Sequence, residues 1–377
     1  EARPKTKGMS AFIVDRNAEG FHSKAIKGKL GVRAGDTGQI FFDDLRVPIE
    51  NRIGQEGDGF KVAMSALDHG RYTVAAGAPY DRVGSNDSQG SVRLWSHVGG
   101  TWSEKTLISS DGAKDDQFGA SVAVSDDGTV VVAGAPGAEV GSNTDQGAVY
   151  VYRCAGGVWD EKKLVHTGGA KNDLFGFSVA ISAGGNVLVV GAYNRMVGIN
   201  AAQGEARVFA WNGTSWDETA ILAASDGEQG DNFGYSVALS EDGGTIAVGA
   251  PQSGSGKGAL YVFKKDGSAW IETKLHAAGA DIEDYLGKAV AVSSDGRAVI
   301  AGAEGDDSRR GSVRLFIWNG VDWDETIITA SDGISGDAFG SSVSISGNGS
   351  TLAVGAPKDD IGVMTNQGSV YLFKQNG

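Results

Sequence analysis

From residue 72 onward, apolar and polar positions recur in a fixed order of four short segments. A Phe-Gly pair opens a stretch of alternating small and apolar residues, as in Ser178-Val179-Ala180-Ile181, the period-2 signature of a strand. A nearly unbroken apolar run follows, as in Val187-Leu188-Val189-Val190, which fits a strand buried on both faces. The third segment starts at Gly90, Gly147, Gly204, Gly258, Gly311 and Gly368, as in Gly90-Ser91-Val92-Arg93-Leu94-Trp95. The fourth centres on Trp102, Trp159, Trp216, Trp270 and Trp323, each followed within two residues by a glutamate.

Unit starts at Phe118, Phe175, Phe233, Leu286 and Phe339 lie 57, 58, 53 and 53 residues apart, a period that belongs to propellers and solenoids. Four short strands per period predict an all-β chain: a β-propeller of about six four-stranded blades, or an incomplete seven, preceded by a small β-rich N-terminal segment. Six small-residue ends occur, from Gly77-Ala78 to Gly355-Ala356, with six third segments but only five Trp segments. The last blade therefore lacks its outer strand. Two readings account for this, a strand from residues 1 to 56 covering the edge or a seven-blade parent.

Each recurring residue type has a packing reason. Gly-Ala allows close backbone approach near a propeller axis, and Pro79, Pro136, Pro251 and Pro357 then end the strand. Asp127-Gly128, Asp242-Gly243 and Asp295-Gly296 supply the positive φ of a tight turn. The tryptophans offer large apolar faces for the wider gap between blades on the outside.

Residues 1–71 do not follow the repeat. Segments 9–14 and 38–42 read as short strands, and Pro48 cannot donate to a ladder. At the junction the spacing predicts a helix to about Gly70 and a strand from Tyr72, dividing the chain into 1–71 and 72–377. Charge divides similarly. Residues 1–76 hold 12 Lys or Arg against 10 Asp or Glu, leaving 21 against 37 for the remainder, within a net charge of -14. The acidic repeats would repel a phosphate backbone, which argues against nucleic acid and in favour of cations or basic ligands. The single Cys154 excludes an internal disulfide. No apolar run approaches the ~18 residues of a membrane span, and no signal-peptide pattern opens the sequence.

Candidate chemistry is sparse. An aspartate stands two residues before each unit start: Asp116, Asp173, Asp231, Asp284 and Asp337, with further carboxylates at Asp115, Glu283, Asp359 and Asp360. These are the candidate metal ligands, for a weak calcium site. Calcium takes six to eight oxygens, however, and one aspartate per blade matches better a side chain that fixes its own turn. The five histidines show no metal-ligand spacing, and no catalytic set assembles.

Two resemblances follow from these motifs. Residues 72–377 resemble FG-GAP repeats, the blade motif of the integrin α-subunit propeller and of many extracellular repeat proteins. That resemblance implies loops presented to a protein or other ligand, calcium in some members, and an extracellular or cell-surface setting. The runs Gly8-Met9-Ser10-Ala11-Phe12-Ile13-Val14, Phe41-Phe42-Asp43-Asp44-Leu45-Arg46-Val47-Pro48 and Leu67-Asp68-His69-Gly70-Arg71 resemble acyl-CoA dehydrogenase over roughly residues 1–76. This second resemblance covers the end of that family's middle β-domain and the start of its C-terminal domain, and it places Asp68 and Arg71 near the acyl-CoA pocket. Segments for flavin binding and the catalytic glutamate have no match, and Arg71 cannot abstract an α-proton. The leading expectation is a non-enzymatic binding or adhesion-type scaffold without a cofactor. The alternative is an inactive relic of an FAD-dependent acyl-CoA dehydrogenase.

Overall fold

A computed structural model describes strands at 11–12, 21–25, 38–42 and 52–53, and then residues 72–98, 101–362 and 365–374. The chain divides into two compact units, the first of Glu1–Arg71 with His97–Thr101 and the second of Tyr72–Ser96 with Trp102–Gly377. In the first unit, β1 (Ala11–Phe12) pairs antiparallel with β4 (Arg52–Ile53), and β2 (Phe21–Ala25) pairs with β3 (Gly38–Phe42). The strand at Phe21–Ala25 was not legible from the pattern. The junction helix expected before Gly70 lies outside the described residues, as do Asp68 and Arg71.

The second unit is a six-blade β-propeller of antiparallel sheets. Blade 1 holds β5 (Tyr72–Ala78), β6 (Ser91–Val98) and β7 (Thr101–Leu107). Blade 2 runs β8 (Ser121–Val124), β9 (Val130–Ala135), β10 (Ala148–Ala155) and β11 (Val158–Leu164). Blade 3 runs β12 (Ser178–Ile181), β13 (Val187–Ala192), β14 (Glu205–Trp211) and β15 (Trp216–Leu222). Blade 4 runs β16 (Ser236–Leu239), β17 (Thr245–Ala250), β18 (Ala259–Asp266) and β19 (Ala269–Leu275). Blade 5 runs β20 (Ala289–Val292), β21 (Ala298–Ala303), β22 (Ser312–Trp318) and β23 (Trp323–Ile328). Blade 6 holds β24 (Ser342–Ile345), β25 (Thr351–Ala356) and β26 (Ser369–Lys374).

Within each sheet, strands pair in chain order, and successive innermost strands lie side by side. The all-apolar second strands are buried along their length, as in β9, β17 and β21. Among the described residues the buried apolar side chains form no single central core. Five clusters instead sit at the five junctions between successive blades. At the first, Val92, Leu94 and Leu107 of blade 1 meet Phe118, Val131 and Tyr150 of blade 2. The next junction joins Val149 and Val151 to Phe175 and Phe209, and the fifth joins Val313 to Phe339 and Val354. Phe118, Phe175, Phe233, Leu286 and Phe339, the unit starts, are all fully buried at these seams.

The Gly-Ala ends set how closely blades approach. A Cβ added at Gly134, Gly191 or Gly249 would lie 1.9, 2.0 or 1.8 Å from the carbonyl oxygen of Gly176, Gly234 or Gly287 in the following blade. Nothing larger than glycine fits there. Farther out, Trp216 and Trp323 are buried at the seams while Trp159 and Trp270 pack against them. Cations from the preceding blade lie over these rings, Arg153 near Trp216 and Lys264 near Trp323, a geometry that adds electrostatic attraction to packing. Trp102 of blade 1 is 53% exposed.

Candidate functional site

One end of the blades gathers the loops between second and third strands and the linkers that lead from each outer strand to the next blade. The five candidate aspartates lie in these linkers, and all are buried. Each accepts a hydrogen bond from the backbone N–H three residues earlier: Asp116 from Ala113 at 2.8 Å, Asp173 from Ala170 at 2.6 Å, Asp231 from Glu228 at 2.9 Å, Asp284 from Asp281 at 2.7 Å and Asp337 from Ile334 at 2.7 Å. That bond closes the turn that delivers the chain to the next Phe-Gly pair. Burial pushes the Asp116, Asp231 and Asp284 carboxyls up, more than the backbone bond pulls them down. Among the described residues, no group of three or more His, Cys, Asp or Glu side chains is arranged to hold a metal ion. The extra carboxylates do other work: Asp359 accepts from the Tyr371 hydroxyl and Asp360 from the Asn366 N–H.

Position three of each third strand is anchored in two alternating ways, to the linker that precedes the blade or within the blade itself. In blade 2, Tyr150 Oη donates to Asp111 at 2.7 Å and Lys163 Nζ lies 2.6 Å from the same carboxylate. Blade 4 repeats this with Tyr261, Asp226 and Lys274 at 2.9 and 2.6 Å. Blades 1, 3 and 5 carry Arg93, Arg207 and Arg314 at the tyrosine position and pair them with Glu104, Glu218 and Glu325 of their own outer strands. The linkers into blades 3 and 5 accordingly have Gly168 and Gly279 where the others have aspartate. Outer-strand glutamates hold linker backbone as well. Glu161 accepts from the N–H and hydroxyl of Ser110, and Glu272 from those of Ser225.

The loops between second and third strands come in two lengths. In blades 1 to 3, Asn86, Asn143 and Asn200 each donate to a glutamine three residues on and to a linker carbonyl, that of Gly112, Gly169 or Gly227. Blades 4 and 5 lose four residues between the Gly-Ala end and the next strand, as Ala250 to Gly258 against Ala135 to Gly147 shows, which accounts for the shorter 53-residue spacing. One-turn segments at Ser253–Gly256 and Asp306–Arg309 stand there instead. A cleft opens beside each. The first, about 230 Å³, is lined by Asp226, Asp231, Lys257, Lys274 and His276. The second, about 430 Å³, is lined by Asp281, Glu283, Asp284, Tyr285, Asp307 and Arg309. Asp307, Ser308 and Arg309 adopt φ values of 48, 60 and 67°, a run of left-handed residues that costs energy at every step without glycine.

Nearer the axis, the residues that follow the Phe-Gly pairs and Gly-Ala ends differ from blade to blade. Phe177, Tyr193 and Tyr235 form an aromatic triad with ring centroids 4.5, 4.9 and 5.3 Å apart, each ring partly exposed. Equivalent positions in other repeats hold Ala120, Ser341 or proline. In blades 5 and 6 the same positions carry a polar cluster. Lys288 and Ser341 donate to the buried Glu304 carboxylate, and Arg309 approaches it at 3.5 Å. Burial would raise the Glu304 carboxyl, but these bonds outweigh it and hold it low. The sequence reading missed both groups. The available signal was large aromatics standing where sister repeats keep small residues.

Comparison with known proteins bears on both units. Curated relatives match short stretches. The short-chain specific acyl-CoA dehydrogenase of Clostridium acetobutylicum is 49% identical over 73 residues, covering 19% of this chain and 19% of that protein. The mitochondrial very long-chain specific acyl-CoA dehydrogenase of Homo sapiens is 44% identical over 68 residues, covering 18% and 10%. This chain thus spans about a fifth or less of these relatives' length. Among solved structures, hydrazine synthase of Kuenenia stuttgartiensis is similar at 14% identity and a TM-score of 0.46, covering 70% of each chain. The FG-GAP repeat model matches residues 102–152, 159–209, 216–263 and 323–373. Each match runs from one outer strand through a linker and into the next blade, and together they take in more than half of the sequence, so the chain belongs to the FG-GAP repeat family.

Proposed function

We propose that the chain is a non-enzymatic binding scaffold whose loop end receives a protein or other ligand of adhesion type. The observation that carries this reading is the aromatic triad Phe177, Tyr193 and Tyr235. Partly exposed rings held rigidly by a scaffold are typical binding anchors, because they bring large contact area at small entropic loss. The Glu304, Lys288 and Arg309 cluster two blades away supplies polar contacts that fix orientation. Positions facing the blade seams repeat from unit to unit, while these do not. That contrast is what a scaffold with a specialised face requires.

Selection of a displayed peptide library on the immobilised protein tests the reading. Binders recovered on the native protein should lose affinity for a Phe177→Ser/Tyr235→Ser variant whose melting temperature is unchanged. Binders indifferent to that variant would place the ligand elsewhere.

The second reading, a relic of acyl-CoA dehydrogenase, is favoured by the relatives that match about a fifth of the chain. It assigns residues 1–71 to a separate fragment, with Asp68 and Arg71 bordering a former acyl-CoA pocket. Its test is optical. A purified protein with a stoichiometric flavin absorption spectrum would reverse the order of the two readings.

A further inference from the structure

Each linker is tied backward, to the blade it leaves, in the same way at all five junctions. The N–H groups of Phe118, Phe175, Phe233, Leu286 and Phe339 donate to the carbonyls of Gln89, Gln146, Gln203, Lys257 and Arg310 at 2.8, 2.9, 2.8, 3.2 and 3.1 Å. The forward tie, to the blade that follows, is not uniform, and three positions change together. Linkers into blades 2 and 4 set Asp111 and Asp226 against Tyr150 and Tyr261, with Lys163 and Lys274 opposite those tyrosines in register. Linkers into blades 3 and 5 have Gly168 and Gly279, with Arg207 and Arg314 on the third strand and Ile221 and Ile327 opposite them. Carboxylate, hydroxyl and ammonium are thus lost as a set. Blade 6 returns to the first kind, with Tyr371 donating to Asp332 at 2.9 Å.

The outer-strand glutamates follow the same alternation. Glu161 and Glu272 each take the N–H and the hydroxyl of a linker serine. Glu218 instead gives both oxygens to Arg207, at 2.9 and 2.8 Å, and Glu325 takes the N–H of Ala278, which has no hydroxyl to add. A forward tie does remain at blade 3, from Arg195 to Asp173 at 3.1 Å. Unmatched buried groups fall at the same two junctions. His166, in the linker into blade 3, is 2% exposed with neither ring nitrogen hydrogen-bonded, although Nε2 lies 3.3 Å from Asp173. Arg314 of blade 5 is 4% exposed, and its Nε and Nη1 make no hydrogen bond. Such groups penalise the closed seam and are relieved when water enters it.

We infer that the propeller flexes at the seams into blades 3 and 5, with blades 1 and 2, 3 and 4, and 5 and 6 moving as clamped pairs. The division runs through the loop end. Phe177, Tyr193 and Tyr235 all belong to blades 3 and 4, whereas Lys288, Glu304, Arg309 and Ser341 belong to blades 5 and 6. The seam between blades 4 and 5 therefore sets the distance between the aromatic and the polar group. A ligand touching both groups draws that seam shut. This last step rests on the binding-scaffold reading, while the hinge itself does not.

Amide hydrogen exchange on the whole protein, without ligand, tests the hinge, so that its failure would leave the binding reading standing. The N–H three residues before each linker aspartate is the reporter, because it makes the same bond to the carboxylate at every seam. After correction for intrinsic rates, Ala170 and Asp281 should exchange at least about tenfold faster than Ala113 and Glu228, as expected where two charge-assisted bonds no longer oppose local opening. Equal rates, or rates that change steadily along the chain, overturn the inference. An Asp226→Ala/Tyr261→Phe variant then unclamps the seam between blades 3 and 4. Its Glu228 amide should exchange as fast as those of Ala170 and Asp281, while Ala113 keeps its native rate. An unchanged Glu228 overturns the clamp, and so does an Ala113 that accelerates as much as Glu228, because the bonds would then hold the whole propeller rather than one seam.

Discussion

The Tyr261 hydroxyl donates to the Asp226 carboxylate across the seam between blades 3 and 4, at 2.9 Å, and Lys274 completes the group. Burial pushes the tyrosine up to about 12 and also raises the aspartate, but the bonds from Lys274 and Tyr261 outweigh burial and hold Asp226 below the usual carboxylate range. One side chain from the linker thus holds two strands of the blade that follows.

Tyr261→Phe removes the donor and leaves Asp226 with its lysine. The expected loss is about 1 kcal/mol, the usual net value of one such bond, read from denaturant midpoints. Arg207→Ala should cost more. It strips Glu205 and Glu218 of a guanidinium that is only 5% exposed, and breaking a buried pair costs about 3–5 kcal/mol.

Gly249→Ala and Gly355→Ala form a matched pair. At Gly249 the new methyl lies 1.8 Å from the Gly287 carbonyl, so blades must separate, and the loss should reach or exceed the ~1–3 kcal/mol of ordinary overpacking. At Gly355 the near neighbour is the Ser342 hydroxyl, which can rotate away. Melting temperatures should fall steeply for the first and by a few degrees at most for the second. Equal losses would contradict the junction geometry.

The five linker aspartates should behave as turn-fixing groups. Asp231→Ala is expected to cost about 1 kcal/mol, like loss of a helix cap, with or without calcium. Millimolar calcium or chelator should leave the melting temperature of the native protein unmoved. A calcium-dependent rise would establish the weak cation site instead.

Acid sensitivity has a predictable sign. The Asp242 carboxyl is held low by the Ser240 hydroxyl and the Gly244 N–H, and Asp295 by the Ser293 hydroxyl and the Arg297 N–H. A carboxylate with a lowered folded-state value adds stability above its unfolded value, near pH 3.9, and loses it as pH falls through the folded value. Asp242→Asn/Asp295→Asn should therefore flatten the fall in stability below about pH 4. Asp116, Asp231 and Asp284, raised by burial, act oppositely. Their ionisation costs stability as pH rises from the unfolded value through the folded one, so mild acid relieves that cost.

The blade pattern was legible because every strand answers to a local periodicity. Val187–Val190 had to be buried on two faces, and Gly191 had to be small. The alternation of Tyr261 with Arg207 was equally present in the letters, but it emerges only when a strand residue is compared with a linker some 35–40 positions earlier, such as Tyr261 with Asp226. The aromatic triad escaped for a different reason. Phe177 follows its Phe-Gly pair like any strand residue, and only the fold brings it against Tyr193 and Tyr235 from two other turns of chain. Counting tryptophans left one blade short of an outer strand, and among the described residues β26 pairs only with β25. Among the described residues, β1 to β4 pair only with one another, so the expected covering strand from residues 1–56 is not among the pairings.

Dividing the apolar interior into five separate seams has a consequence for how damage spreads. Successive residues of one strand face opposite seams, Val131 and Ala133 of β9 toward blade 1 and Val130 and Val132 toward blade 3, so a cavity cut at one seam removes side chains that its neighbour does not pack against. Substitutions at different seams should therefore add nearly independently.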